Sequence, residues 1–175
     1  VFFLFIRRQA ISRVFPYTRV FVSDNPAIRR LVLAAVHQEE YMMAVAGTDA
    51  SLYRTGVGVF PPETRFASDA GMSRHAGPPD YDRIKRDLTA AGYKGEKVVV
   101  LGAADRAAVK AFGDVAAEML TKMGMNVDYQ IADWGTVNAR INRKDPPEKG
   151  GWSMFFAVWG GISLINPIVH QYLRG

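Results

Sequence analysis

Two stretches of this chain, Trp159-Gly160-Gly161 and Asp133-Trp134-Gly135, carry the residue types best suited to hold a small molecule. An indole offers a broad apolar face and a single N–H donor. Glycines beside it leave backbone N–H and C=O groups open to directional hydrogen bonds, and binding clefts combine these features. Each stretch also has a plainer reading. Trp159 could be a core residue before a tight turn. Asp133 could cap a helix, with Trp134 packed over its first turn. Ile162 follows the glycine pair and completes the candidate ligand-binding set of Trp159, Gly160, Gly161, Ile162 and Trp134.

Residues able to do covalent or metal chemistry are sparse. The three histidines, His37, His75 and His170, have no second histidine or carboxylate at metal-ligand spacing. His37 is close in sequence to Glu39 and Glu40, but neighbours on a helix are expected to face different ways. The absence of cysteine excludes a thiol nucleophile, a thiolate metal site and a disulfide framework. No Gly-x-Ser-x-Gly elbow occurs. Val100-Leu101-Gly102-Ala103-Ala104-Asp105 reads as a strand entering a helix, but it has one glycine where a dinucleotide fingerprint needs three, and Ala104 breaks the pattern. No catalytic residue, no metal site and no cofactor is expected. Met42, Met43, Met119, Met123 and Met125 fall at helical spacing, which predicts ordinary core packing.

The elements that must position the tryptophans follow from periodicity. Val1 to Ile6 is apolar but stops at Arg7-Arg8, too short for a membrane helix and with its charges on the wrong side for a signal peptide, so a buried strand is expected. Residues 7 to 23 show no clear period. Asn25-Pro26 is a helix start, with Ile28, Leu31, Val32, Ala35 and Val36 on one face. A second short helix spans Gln38 to Ala46 and ends at Gly47. Residues 47 to 80 form a long irregular stretch rich in glycine and proline, of the kind that is functional or pinned against something else.

From Asp80 the pattern becomes regular. Asp80, Asp105 and Asp133 are each expected to cap a helix, that of Asp105 with Val109, Phe112, Val115, Ala116, Met119 and Met123 inward. Strands are expected at Lys97 to Leu101, Asn126 to Ile131 and Ser153 to Trp159, and Asn166-Pro167 opens a last helix. This alternation predicts right-handed crossovers and a parallel sheet. Ligands in such sheets sit beyond the carboxyl ends of the strands, here Gly102 to Asp105, Ala132 to Gly135 and Trp159 to Ile162.

The chain has 175 residues, 49% hydrophobic and 22% charged, which is globular and of one-domain size. Its formal charge of +5 is mild, and the cations are scattered rather than clustered, so nucleic acid is not the expected partner. The missing initiator Met reads as a processed or truncated product.

Several segments, in order, resemble the extracytoplasmic solute-binding proteins of ABC importers for peptides, nickel and related solutes (family 5). They are Asn25-Pro26-Ala27-Ile28-Arg29-Arg30 with Leu33 to Glu39; Pro61-Pro62 to Met72; Tyr81-Asp82-Arg83-Ile84-Lys85 with Leu88 and Ala91-Gly92-Tyr93; Ala116 to Val127 with Leu120, Lys122 and Gly124; Asp133-Trp134; and Trp159-Gly160-Gly161 with Asn166-Pro167. The resemblance covers residues 25 to 175 and implies a periplasmic-binding-protein-like (type II) α/β lobe, with a mostly parallel sheet flanked by helices. It implies one lobe of a longer, two-lobed protein, with residues 1 to 24 poorly placed and 47 to 80 as a long loop. It further implies a peptide-like solute, a membrane permease as partner and a periplasmic or extracytoplasmic setting. Many peptide-binding relatives carry an acid just after the glycine, where this chain has Ile162-Ser163. An apolar side chain cannot balance a buried ammonium, so the solute is expected to be neutral or anionic at the Ile162 end. Self-association through the apolar Phe2 to Ile6 segment is also expected. The alternative, from other classes, is a nucleotide-binding or enzymatic doubly wound domain, or the effector-sensing domain of a regulator.

Overall fold

The computed structural model describes residues 2–6, 25–75, 77–143 and 145–168. Four strands form one sheet in the order β1-β4-β2-β3, where β1 is Phe2–Ile6, β2 Lys97–Ala103, β3 Asn126–Ala132 and β4 Met154–Val158. β2 pairs in parallel with both β3 and β4, and β1 pairs antiparallel with β4. The expected mostly parallel α/β arrangement is therefore present. The helices are α1 (Pro26–Ala35), α2 (Gln38–Ala46), α3 (Tyr81–Ala90), α4 (Ala107–Lys122) and α5 (Trp134–Ile141). Residues 7 to 24, which the sequence left unassigned, and the expected helix beyond Asn166-Pro167 lie largely outside the described residues.

Side chains of β3 show which helix covers which face. Tyr129 Oη donates to the Lys110 carbonyl on α4 (3.2 Å), while the neighbouring Gln130 accepts from Arg140 on α5 (2.6 Å). Successive strand residues point to opposite faces. α4 and α5 therefore lie on opposite sides of the sheet, as two right-handed crossovers running in opposite directions along it require.

β2 is a run of Val98, Val99, Val100 and Leu101, all buried, as a strand covered on both faces demands. Val109, Phe112, Ala116, Met119 and Met123 of the α4 segment are also buried. Tyr41 from α2 meets Phe112 and Phe156 with ring centroids 6.2 and 6.1 Å away, and its hydroxyl reaches Met119 Sδ at 3.5 Å. Burial pushes the Tyr41 phenol well above its ordinary pKa, so it stays neutral.

Most helix starts are where the sequence puts them. Asn25 Oδ1 accepts from Ala27 N–H at 2.9 Å, Asp80 Oδ1 from Arg83 N–H at 2.9 Å and Asp133 Oδ1 from Thr136 N–H at 3.0 Å. Asp105 differs. It does not cap α4, whose cap position is Arg106 with no side-chain bond. Its carboxylate instead accepts from Trp134 N–H at 2.7 Å, so it ties the start of α5 to the end of β2. The methionines also divide: Met119, Met123 and Met125 are buried, whereas Met42 is half-buried and Met43 is 41% exposed. α2 fully buries only Tyr41, so Met43 faces outward and Met42 is covered in part.

Candidate functional site

β2, β3 and β4 run in the same direction, so their carboxyl ends lie along one edge of the sheet. Trp134 begins α5 two residues after β3 ends, and Trp159 directly follows β4. β2 lies between these strands, so the axes that deliver the two tryptophans are about 10 Å apart. The fold thus sets both at the same edge, flanking the Ala104-Asp105-Arg106 turn.

That turn is held from both sides. Ala104 N–H donates to the Ala132 carbonyl at 2.8 Å, Arg106 N–H to the Ala103 carbonyl at 3.3 Å, and Asp105 receives Trp134 N–H. The Arg106 guanidinium carbon stands 6.0 Å from the Trp134 ring centre, within cation–π range. Trp134 is half-buried against the core. Asp133 caps its helix and also accepts from the Thr136 hydroxyl at 2.6 Å, which holds its carboxyl below the ordinary pKa range. The plainer reading of Asp133-Trp134 thus holds for the Asp133 cap, and the Trp134 ring packs half-buried on the core.

Trp159 is also half-buried and packs on the core. Gly160 has φ −63° and ψ 138°, extended backbone that any residue adopts. A β-carbon there would meet nothing within 4 Å, and one on Gly161 would touch only Pro61 Cγ at 4.0 Å. Neither backbone strain nor crowding by the described residues requires these glycines. Ile162 sits in the short 3-10 turn Gly161–Leu164.

The long stretch between α2 and α3 is ordered by its own contacts. Gln38 donates to the Val57 carbonyl (2.8 Å) and accepts from its N–H (3.0 Å), a two-point clamp. Phe60 and Phe66 meet with tilted rings, centroids 5.6 Å apart, and Arg54 pairs with Glu63 at 2.6 Å. Between this loop and α2 lies a groove of about 380 Å³ lined in part by Gln38, Met42, Tyr53, Arg54, Val57 and Pro62, which sequence reasoning missed. It is built by a contact nineteen residues apart in sequence that no local pattern announces.

The histidine reading needs one correction. His37 faces both nearby acids, with Nδ1 3.7 Å from Glu40 and Nε2 4.0 Å from Glu39. It sits at the cap position with extended backbone, so the helical rule for diverging neighbours does not apply to it. Among the described residues no group of three His, Asp or Glu side chains could hold a metal ion. His75 carries no described side chain, and His170 lies outside the described residues.

The fold is that of ABC-transporter substrate-binding proteins. It is similar to CtaP of Listeria monocytogenes, an ABC transporter substrate-binding protein, at 16% identity and TM-score 0.57 over 83% of this chain and 28% of that one. It is likewise similar to AppA of Clostridium difficile, a candidate peptide-binding protein, at 18% identity and TM-score 0.62 over 89% of this chain and 32% of that one. In sequence, 127 residues are 29% identical to y4tO of Sinorhizobium fredii, named as a peptide ABC transporter periplasmic-binding protein, over 73% of this chain and 24% of that protein. The resemblance carried by the motifs is thereby borne out. No protein-family model matches the chain. The chain spans about a quarter of the length of the curated relative it matches. Among the described residues no helix is long and apolar enough to cross a membrane.

Proposed function

We propose that this chain forms one lobe of the solute-binding component of an ABC importer, and that it captures a peptide-like solute without catalysing a reaction. The observation that carries this reading is the strand-end edge. Trp134 and Trp159 flank the end of β2, and Gly160 beside Trp159 borders open space that the described residues do not fill. The likeness to y4tO supports a peptide as the solute class and a membrane permease as the receiving partner. It also supports a periplasmic or extracytoplasmic setting. Ile162, in the place where many relatives carry an acid, favours a solute that is neutral or anionic at that end.

The test is native mass spectrometry of the full-length protein purified from its own host, followed by release and identification of any bound small molecule. A peptide released in near-stoichiometric amount is the expected result. Turnover of that peptide by the protein, or a bound nucleotide instead, overturns the reading.

A further inference from the structure

The groove between α2 and the loop after it opens beside the strand-end edge. A β-carbon on Gly161 would stand 4.0 Å from Pro61 Cγ, so the loop passes against the glycine pair that follows Trp159. Pro62, one peptide unit or about 3.8 Å further along, lines the groove. An extended tripeptide spans about 10 Å, enough to lie over Gly160 and Gly161 and send one side chain into it. The groove's volume of about 380 Å³ falls within the roughly 300–1,000 Å³ of small-molecule sites. Specific contacts fix its shape. The Gln38 amide bonds both polar groups of Val57, and the Thr64 hydroxyl donates to the Pro61 carbonyl at 2.7 Å. Glu63 takes a φ of 65°, a left-handed conformation uncommon outside glycine, and Arg54 holds its carboxylate. Residues held in such conformations cluster at ligand clamps.

From this construction we infer that the groove is a side-chain pocket that takes a large apolar residue of the bound peptide, of the leucine or phenylalanine class. The inference rests on the solute-binding reading above and adds a side-chain preference to it. Met42, Leu52, Val57 and Pro62 supply apolar walls, and Leu52 is 66% exposed, so an apolar occupant removes surface from water on both sides of the contact. The polar groups in the lining are already engaged within the protein. Gln38 is bonded to Val57, the Ser51 hydroxyl donates to Asp49 at 2.7 Å, and Arg54 is paired with Glu63. A polar side chain entering there would lose water and gain few partners in exchange. Met42 is flexible enough to fit occupants of different shape.

The experiment is calorimetric titration of the full-length protein with a mixed-sequence tripeptide library containing leucine and phenylalanine, and with a counterpart in which serine replaces both. Wild type, Leu52→Ser, Met42→Gln and Val59→Ser are compared, each first shown to be folded by its circular-dichroism melt. Val59 is exposed on the same loop but is not part of the groove lining. Wild type is expected to bind the apolar library at least about tenfold tighter than its serine counterpart. Leu52→Ser and Met42→Gln should each reduce that preference about threefold or more by weakening the apolar library alone, and Val59→Ser should leave it unchanged. A preference that survives in full in both Leu52→Ser and Met42→Gln overturns the assignment, as does an equal reduction in Val59→Ser. So does a wild type that binds both libraries equally, which leaves the solute-binding reading standing. If wild type binds neither library, the peptide reading fails and the role of the groove falls with it.

Discussion

The phenol oxygen of Tyr129 occupies the space that a β-carbon on Gly113 would need, 2.5 Å from where that carbon would sit. Gly102 of β2 stands in the same relation to Tyr129, at 2.5 Å from its oxygen and 2.7 Å from a ring carbon. The ring is thus wedged between the end of β2 and the middle of α4, and glycine on both is what admits it. Burial and the nearby Asp114 raise the Tyr129 phenol well above its ordinary pKa, so the hydroxyl remains a donor to the Lys110 carbonyl. This wedge sets the distance between α4 and the strand that carries the Arg106 turn.

Gly113→Ala is expected to destabilise the protein. Alanine favours a helix over glycine by about 1 kcal/mol. Overpacking costs about 1–3 kcal/mol, and the ring, confined from both sides, has little room to yield. The clash should therefore win. Adding Tyr129→Phe removes the closest atom and leaves ring carbons at 3.0 and 3.1 Å, so the double variant should recover part of the loss. Gly102→Ala should recover less, because its remaining contacts are ring carbons at 2.7 and 2.9 Å. Urea denaturation of the four variants against wild type measures this. Equal recovery at both glycines would show that the ring carbons do not contribute, and no recovery at either would show that the oxygen is not the obstacle.

Much of this architecture was legible in the chain, and the failures have physical reasons. The buried strands were visible because Val98 to Leu101 and Met154 to Ala157 are unbroken apolar runs, which parallel sheets covered on both faces produce. Asp80 and Asp133 were read correctly as caps because a cap is a local interaction. Asp105 has the same sequence signature, yet its carboxylate is claimed by a backbone N–H twenty-nine residues away. Long-range competition of that kind leaves no trace in spacing. The same limit hid the Gln38 clamp and the placement of Arg106 over Trp134. The tryptophans were found because aromatic residues at strand ends are legible, whereas their neighbours across the sheet are not.

Gln38→Ala should release the loop without unfolding the protein. Both polar ends of the Gln38 amide are spent on Val57, and nothing else in the clamp replaces them. Hydrogen exchange at the Val57 amide should accelerate by about fivefold, as loss of a bond worth about 1 kcal/mol implies. Amides of β2 should exchange as in wild type. Unchanged exchange at Val57 would mean that the Phe60–Phe66 contact and the Arg54–Glu63 pair hold the loop alone.

Asp133 should make a small, acid-sensitive contribution. Its folded pKa is depressed, first by the Thr136 hydroxyl and then by backbone N–H groups. A depressed carboxyl contributes stability above its unfolded value and loses it as pH falls through the folded value, here below about pH 4. Asp133→Asn keeps an acceptor for the cap but no charge. Its melting temperature should lie below wild type at neutral pH, and the gap should close under acid. A gap that stays constant down to about pH 3 would assign the loss to geometry rather than to the charge.

The two tryptophans should not contribute equally to binding. Trp134 has Arg106 over its ring, and its backbone is engaged by Asp105, so part of its surface is already covered. Trp159 is followed by Gly160, beside which the described residues leave open space. A solute can therefore stack on Trp159 and reach the adjacent backbone without displacing a protein group. Trp159→Ala in the full-length protein is expected to weaken binding of the tripeptide library about fivefold or more, the loss of a stacked aromatic being on the order of 1 kcal/mol. Trp134→Ala should weaken it less. Because both rings also pack on the core, Trp159→Phe serves as the control that keeps an aromatic face. It should restore most of the affinity lost in Trp159→Ala, whereas a purely structural role would show instead as a lowered melting temperature with unchanged affinity in the folded fraction. Equal or greater loss in Trp134→Ala would move the solute's main contact from the end of β4 to the end of β3.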